Sequence, residues 1–127
     1  MRRKARNKMG AEKQFENRIK NELQRRNEKQ RHQRGIWFVK FFANTFTPAG
    51  IPDILVCING RFLAIEVKGG TGYGLTELQK YNLQQIRASG GVGVCVYPTG
   101  WEKLLELLDR MENGEPVDIN DENYILK

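Results

Sequence analysis

Two β-prone runs, residues 53–58 and 61–68, are separated only by Asn59 and Gly60. That dipeptide between apolar runs is the strongest local signal for a two-residue type I′ hairpin. So short a turn fixes the register: pairing Ile58 with Arg61 brings Asp53 opposite Glu66. Lys68 shares the face of Glu66, because strand side chains alternate with period two. The open end of the hairpin therefore gathers two acids and a lysine. Two like charges about 5 Å apart repel by roughly 3 kcal/mol at an effective dielectric of about 20, and desolvation adds to this. Two arrangements offset that repulsion. Either Lys68 neutralises the pair at a sheet edge, or a hard divalent cation sits between the carboxylates, as Mg²⁺ does with one or two acids, waters and phosphate oxygens.

The rest of the chain supplies a setting for this hairpin. Residues 11–30 are good helix formers with Phe15, Ile19 and Leu23 on one stripe, so they predict a first helix. Glu12, Glu16, Ile19 and Leu23 fall at i, i+4, i+7 and i+11, which puts a carboxylate on the core-facing side; the alternative is an exposed Glu16 paired with Lys20. After Gly35, the aromatic and β-branched run 36–44 predicts a strand covered on both faces. Its Lys40 either snorkels from an edge or faces DNA or the acid cluster. Pro48, Gly50 and Pro52 make 45–52 a loop at the mouth of the hairpin.

Beyond Lys68, the stretch GGTGYG reads as a loop, and it lacks the order of a phosphate-binding P-loop. Residues 75–89 predict a helix in which Gln79 interrupts the stripe of Leu75, Leu83 and Ile86. Thr76 and Gln79 also match a capping box. Residues 92–97 predict a short buried strand that Pro98 ends. Thr99 and Glu102 suggest a second capping box, opening a helix whose core stripe is Trp101, Leu104, Leu105, Leu108 and Met111. The acidic residues 113–127 read as a surface extension. Helix, three strands, helix, strand, helix is the order of an α/β fold, a mixed sheet flanked by helices.

Charge is distributed unevenly. Residues 1–34 hold 13 Lys or Arg against 4 Glu, a balance of +9, while residues 35–127 hold 8 against 11, a balance of −3. A basic arm, residues 1–10, with Arg2, Arg3, Lys4, Arg6 and Lys8, suits contact with phosphates that weakens with salt. Cys57 and Cys95 lie in apolar runs and read as small core residues of a reduced protein rather than a disulfide or metal framework. No apolar run reaches the 18 or so residues of a membrane span, and no signal-peptide stretch follows the basic start, so the expectation is a soluble, cytoplasmic protein. His32 is the only histidine, which argues against a zinc site or histidine-based nuclease chemistry.

The series GIPDILV, GRFLAIEVK, GLTELQ and a downstream GG before a strand resembles the PD-(D/E)XK nuclease superfamily, and within it the small stand-alone VRR-NUC type nucleases common in phages. The resemblance covers residues 12–111. It implies an αβββαβ restriction-endonuclease-like core over residues 11–112 and hydrolysis of DNA phosphodiester bonds, with a junction, flap or nick as substrate. It also implies Mg²⁺ or Mn²⁺ held by Asp53, Glu66 and the backbone carbonyl of Val67, with Lys68 orienting or activating water and Gln79 reaching the same centre. A first-helix glutamate approaches the metal in that family; ENRIKNEL puts Glu16 in its place, with Glu12 the competitor. A homodimer follows from one site cutting one strand, and host cytoplasm from a phage origin. A nucleic-acid-binding module on a degenerate nuclease fold is the alternative, against which stand the two acids and the lysine, all retained.

Overall fold

Asn59 and Gly60 both take positive φ, 50° and 76°, the mirror-image conformation that a type I′ turn requires. This is seen in a computed structural model, which describes residues 2–29, 35–70 and 74–127, with side chains from residue 10 onward. The turn joins β2 (Ile54–Ile58) to β3 (Arg61–Val67), with Ile58 against Arg61 and Ile54 against Ile65, as the turn length predicts. β1 (Ile36–Lys40) lies antiparallel to β2, and β4 (Val92–Val96) lies parallel to β3. A two-residue strand, β5 (Ile125–Leu126), pairs in parallel with β4, completing a five-stranded mixed sheet in the order β1-β2-β3-β4-β5.

Helices cover both faces. α1 (Arg2–Lys29) and α3 (Trp101–Glu112) pack on one face through Phe15, Ile19, Leu23, Leu104, Leu108 and Met111, against Ile54, Val56, Leu63, Ile65 and Val94. α2 (Glu77–Ala88) lies on the other, where Leu83 meets Cys95 and Tyr97. Buried Arg26 binds Glu22 at 2.7 Å, Asp109 at 2.7 Å and Glu112 at 3.1 Å, which clamps α1 to α3 and sets which side of α1 faces the sheet. The backbone of α1 runs through the residues expected to form a separate basic arm. The side chains of Arg2, Arg3, Lys4, Arg6 and Lys8 lie outside the described residues, as does His32.

Four expectations are corrected. β1 is an edge strand rather than a covered one: Ile36 and Phe38 face the core, while Trp37 and Val39 are 64% and 41% exposed. α2 packs mainly on β4 and β3, and among the described residues none buries Trp37 and Val39 on the second face of β1. Cys57 is exposed for the same reason, since it stands beside Trp37 on that face; Cys95 is buried. Thr99 does not cap α3, because Pro98–Gly100 forms a 3₁₀ turn that moves the cap to Gly100.

The fourth correction concerns the C-terminal residues, which are more than a surface extension. Val117 and Ile119 pack on the core, Leu126 is buried, and the backbone amides of Cys95 and Tyr97 donate to Tyr124 and Leu126 at 2.9 Å. This return also explains α3, whose buried stripe includes Leu107, with Leu105 only half-buried.

Candidate functional site: an acid pair at the sheet end

Antiparallel β1–β2–β3 followed by parallel β4 brings the ends of β1, β3 and β4 and the start of β2 to one end of the sheet. Ligand sites of α/β folds form at such carboxyl ends. Asp53 precedes β2 and Glu66 lies near the end of β3, so the register places them opposite one another. The Val67 amide donates to Asp53 Oδ2 at 2.8 Å, and the Glu66 carboxyl is hydrogen-bonded to Asp53. Burial, the Asp53 hydrogen bond and the Asp53 charge push the Glu66 pKa up from 4.5 to about 9. At neutral pH the pair therefore holds a proton on Glu66, which is only 4% exposed. Carboxyl groups perturbed in this way cluster at functional sites and also occur in structural ion networks.

Lys68 is 8% exposed, and its ammonium donates to Gln79 Oε1 at 3.2 Å. The same oxygen accepts from the Thr76 amide at 2.9 Å, and Thr76 Oγ1 accepts from the Gln79 amide. Gln79 thus closes the capping box of α2, as the sequence predicts, and accepts from Lys68 at the same time. The site lysine is held from a helix start on one face of the sheet, and α1 approaches from the other.

Of the two first-helix candidates, Glu16 is buried at 5% exposure and Glu12 is exposed. Burial would raise the Glu16 pKa, but the hydrogen bond and charge of Lys40, with help from Lys13, hold it below the usual value. Glu12 is pushed upward, by partial desolvation first and then by the Asp53 charge. Gly69 lets α1 come this close: a Cβ there would lie 2.6 Å from Glu12 Cβ and 2.7 Å from its backbone N and Cα. Any side chain at 69 would drive the helix away.

Lys40 neither snorkels nor extends to solvent. Its Nζ lies 2.6 Å from Glu16 Oε1 and 3.2 Å from Asp53 Oδ1. The legible signal was its alternation with Ile36 and Phe38, which puts it on the inner face of β1. Lys13 and Lys20 complete a lysine ring around Glu16 at 3.4 and 3.5 Å. Gly10, Glu12, Lys13, Glu16 and Lys40 line a cleft of about 470 Å³. A larger groove of about 880 Å³, bordered by Lys103, Arg110, Pro116 and Asp118, lies between α3 and the C-terminal segment and holds none of these groups.

Among the described residues, no three His, Cys, Asp or Glu side chains converge as a metal cage. The donor set that does meet, Asp53 with Glu66, is hard oxygen. Two facing carboxylates are the kind of hard-oxygen donors that a divalent cation such as Mg²⁺ takes, and a cation held there would replace a proton on Glu66. No family model, curated protein or solved structure matches the chain.

Proposed function

We propose that the chain is a Mg²⁺- or Mn²⁺-dependent DNA endonuclease of the PD-(D/E)XK superfamily, VRR-NUC type, acting in the cytoplasm. The observation that carries this reading is the pairing of buried Glu66 with the half-buried Asp53 at one end of the sheet, with the buried Lys68 two residues beyond Glu66. Asp53, Glu66 and the Val67 carbonyl would hold the cation. When bound, such an ion supplies positive charge against the developing phosphorane and lowers the pKa of water. Lys68, held by Gln79, directs its ammonium to the face of the acids, where it orients the attacking water or takes part in its activation. Glu16 stands at the same sheet end, tied to Lys40.

The basic start of α1, Arg2, Arg3, Lys4, Arg6 and Lys8, adds phosphate contacts whose contribution is read from the slope of DNA affinity against salt. Phe42, 73% exposed and two residues after Lys40, offers a ring for an unpaired base beside the site. Labelled junction, flap, nicked and plain duplex DNA, incubated with Mg²⁺ or with a chelator, tests the whole reading. Cleavage of one or more branched substrates with Mg²⁺ and none with chelator is the expected outcome; no cleavage of any substrate would defeat it.

A binding module without catalysis is the second reading. It is favoured by one observation, that Lys40 and the Val67 amide already engage the two oxygens of Asp53. The same incubation separates the two, since the module binds DNA and leaves it intact.

A two-fold dimer completes the proposal, because one site cuts one strand and closed C₂ pairs are the commonest assembly. Trp37, Cys57 and Phe62 form an exposed row across β1, β2 and β3 that such a pair would cover. Light scattering after gel filtration is expected to give twice the 14.7 kDa of one chain. A single-chain mass at tens of micromolar would leave a nicking enzyme.

A further inference from the structure

Lys40 is the last residue of β1 and stands opposite Ile54, the neighbour of Asp53. Its alternation with Ile36 and Phe38 turns it toward α1, and the close approach of α1 at Gly69 brings Glu16 to meet it. The ammonium then bridges two carboxylates from different elements, 2.6 Å from Glu16 and 3.2 Å from Asp53. A cation held between two acids supplies there the charge that a second divalent ion would supply in a two-ion site. Here that cation is a side chain that cannot leave the chain.

Asp53 Oδ1 accepts from Lys40 and Oδ2 from the Val67 amide, and a carboxylate with about four lone-pair sites keeps room for one ion shared with Glu66. Glu16 is engaged by Lys13, Lys20 and Lys40 together. A divalent ion approaching Glu16 would meet three ammonium groups, whereas one approaching Glu66 meets a second carboxylate, with Lys68 and Lys40 at the border of the pair.

We propose that Lys40 is a resident cation that takes the place of a second metal ion, so that the chain binds one divalent ion, at Asp53 and Glu66, and Glu16 acts as the anchor of Lys40 rather than as a ligand. This rests on the metal-dependent reading above and deepens it. Lys40 is then a positioning residue: it holds α1 against the start of β2 and keeps the charge around Asp53 constant.

Mn²⁺ alone, titrated into the full chain without DNA and followed by the electron paramagnetic resonance signal of free Mn²⁺, counts the sites. One ion per chain is expected for the parent, and two for Lys40→Met once its fold is verified by circular dichroism. Two ions in the parent, or one in a folded Lys40→Met, would overturn the proposal while leaving the nuclease reading standing. No ion in either protein would overturn both.

Should Lys40→Met not fold, Glu16→Gln decides. It keeps the shape of the side chain, and its Mn²⁺ number and affinity are expected to stay within about twofold of the parent, whereas a loss of tenfold or more would make Glu16 a ligand.

Discussion

Asp53→Asn and Glu66→Gln are each expected to lower Mg²⁺-dependent DNA cleavage by about 10³-fold, and Lys68→Met by 10²–10⁴-fold, the usual range for a group that assists proton transfer. All three should leave the fold intact. An asparagine at 53 keeps the oxygen that accepts from the Val67 amide. A glutamine at 66 keeps a hydrogen-bonding partner for Asp53. In Lys68→Met the Gln79 oxygen still accepts from the Thr76 amide, so the start of α2 stays capped. Initial rates across a range of Mg²⁺ separate the roles: the two acid variants should need more ion, and the lysine variant should lose rate at saturating ion. Full activity in Asp53→Asn would sink the mechanism.

That test depends on a geometry which was largely legible in the chain, because the turn and the pleat are local. A two-residue loop allows one register, and period two then fixes which residues share a face, so Asp53, Glu66 and Lys68 could be placed before any tertiary contact was known. The capping box at Thr76 and Gln79 was legible for the same reason.

What was not legible depends on packing between distant elements. Glu12 and Glu16 both flank the apolar stripe of α1, and helical period alone does not separate them. The approach of the helix to Gly69 and the reach of Lys40 from β1 bury Glu16 and leave Glu12 outside. Aromatic enrichment in β1 reads alike for a covered strand and for an edge strand with one open face; how little of the sheet α2 spans decides between them. β5 has only two residues and no period of its own, so its pairing with β4 shows only once α3 has turned the chain back.

Glu66→Gln is also expected to stabilise the protein, by about 3 kcal/mol at pH 7 and more at pH 8–9, through the removal of a buried acid that resists ionisation. The Glu66 pKa is 4.5 as the ordinary value and about 9 in the folded protein. Between those limits the folded protein holds a proton that the unfolded chain has released, so the stability of the parent falls as pH rises. The penalty is absent below pH 4.5, grows through the window and levels off above about pH 9. A glutamine has no such proton, so the variant's stability should lose this slope and its advantage should vanish at pH 4. For a chain of this size, 3 kcal/mol corresponds to a melting shift of roughly 10 °C. Mg²⁺ should act on the same group from the other side: bound to the folded protein alone, at a hundred times its dissociation constant it stabilises the parent by about 2.7 kcal/mol. The glutamine variant should show little of that response. Melting curves from pH 4 to 9, with and without Mg²⁺, measure both effects. A variant less stable than the parent at pH 8 without Mg²⁺ would mean that Glu66 is ionised in the fold and held by Lys68, and the acid pair would then be a structural ion cluster that needs no metal.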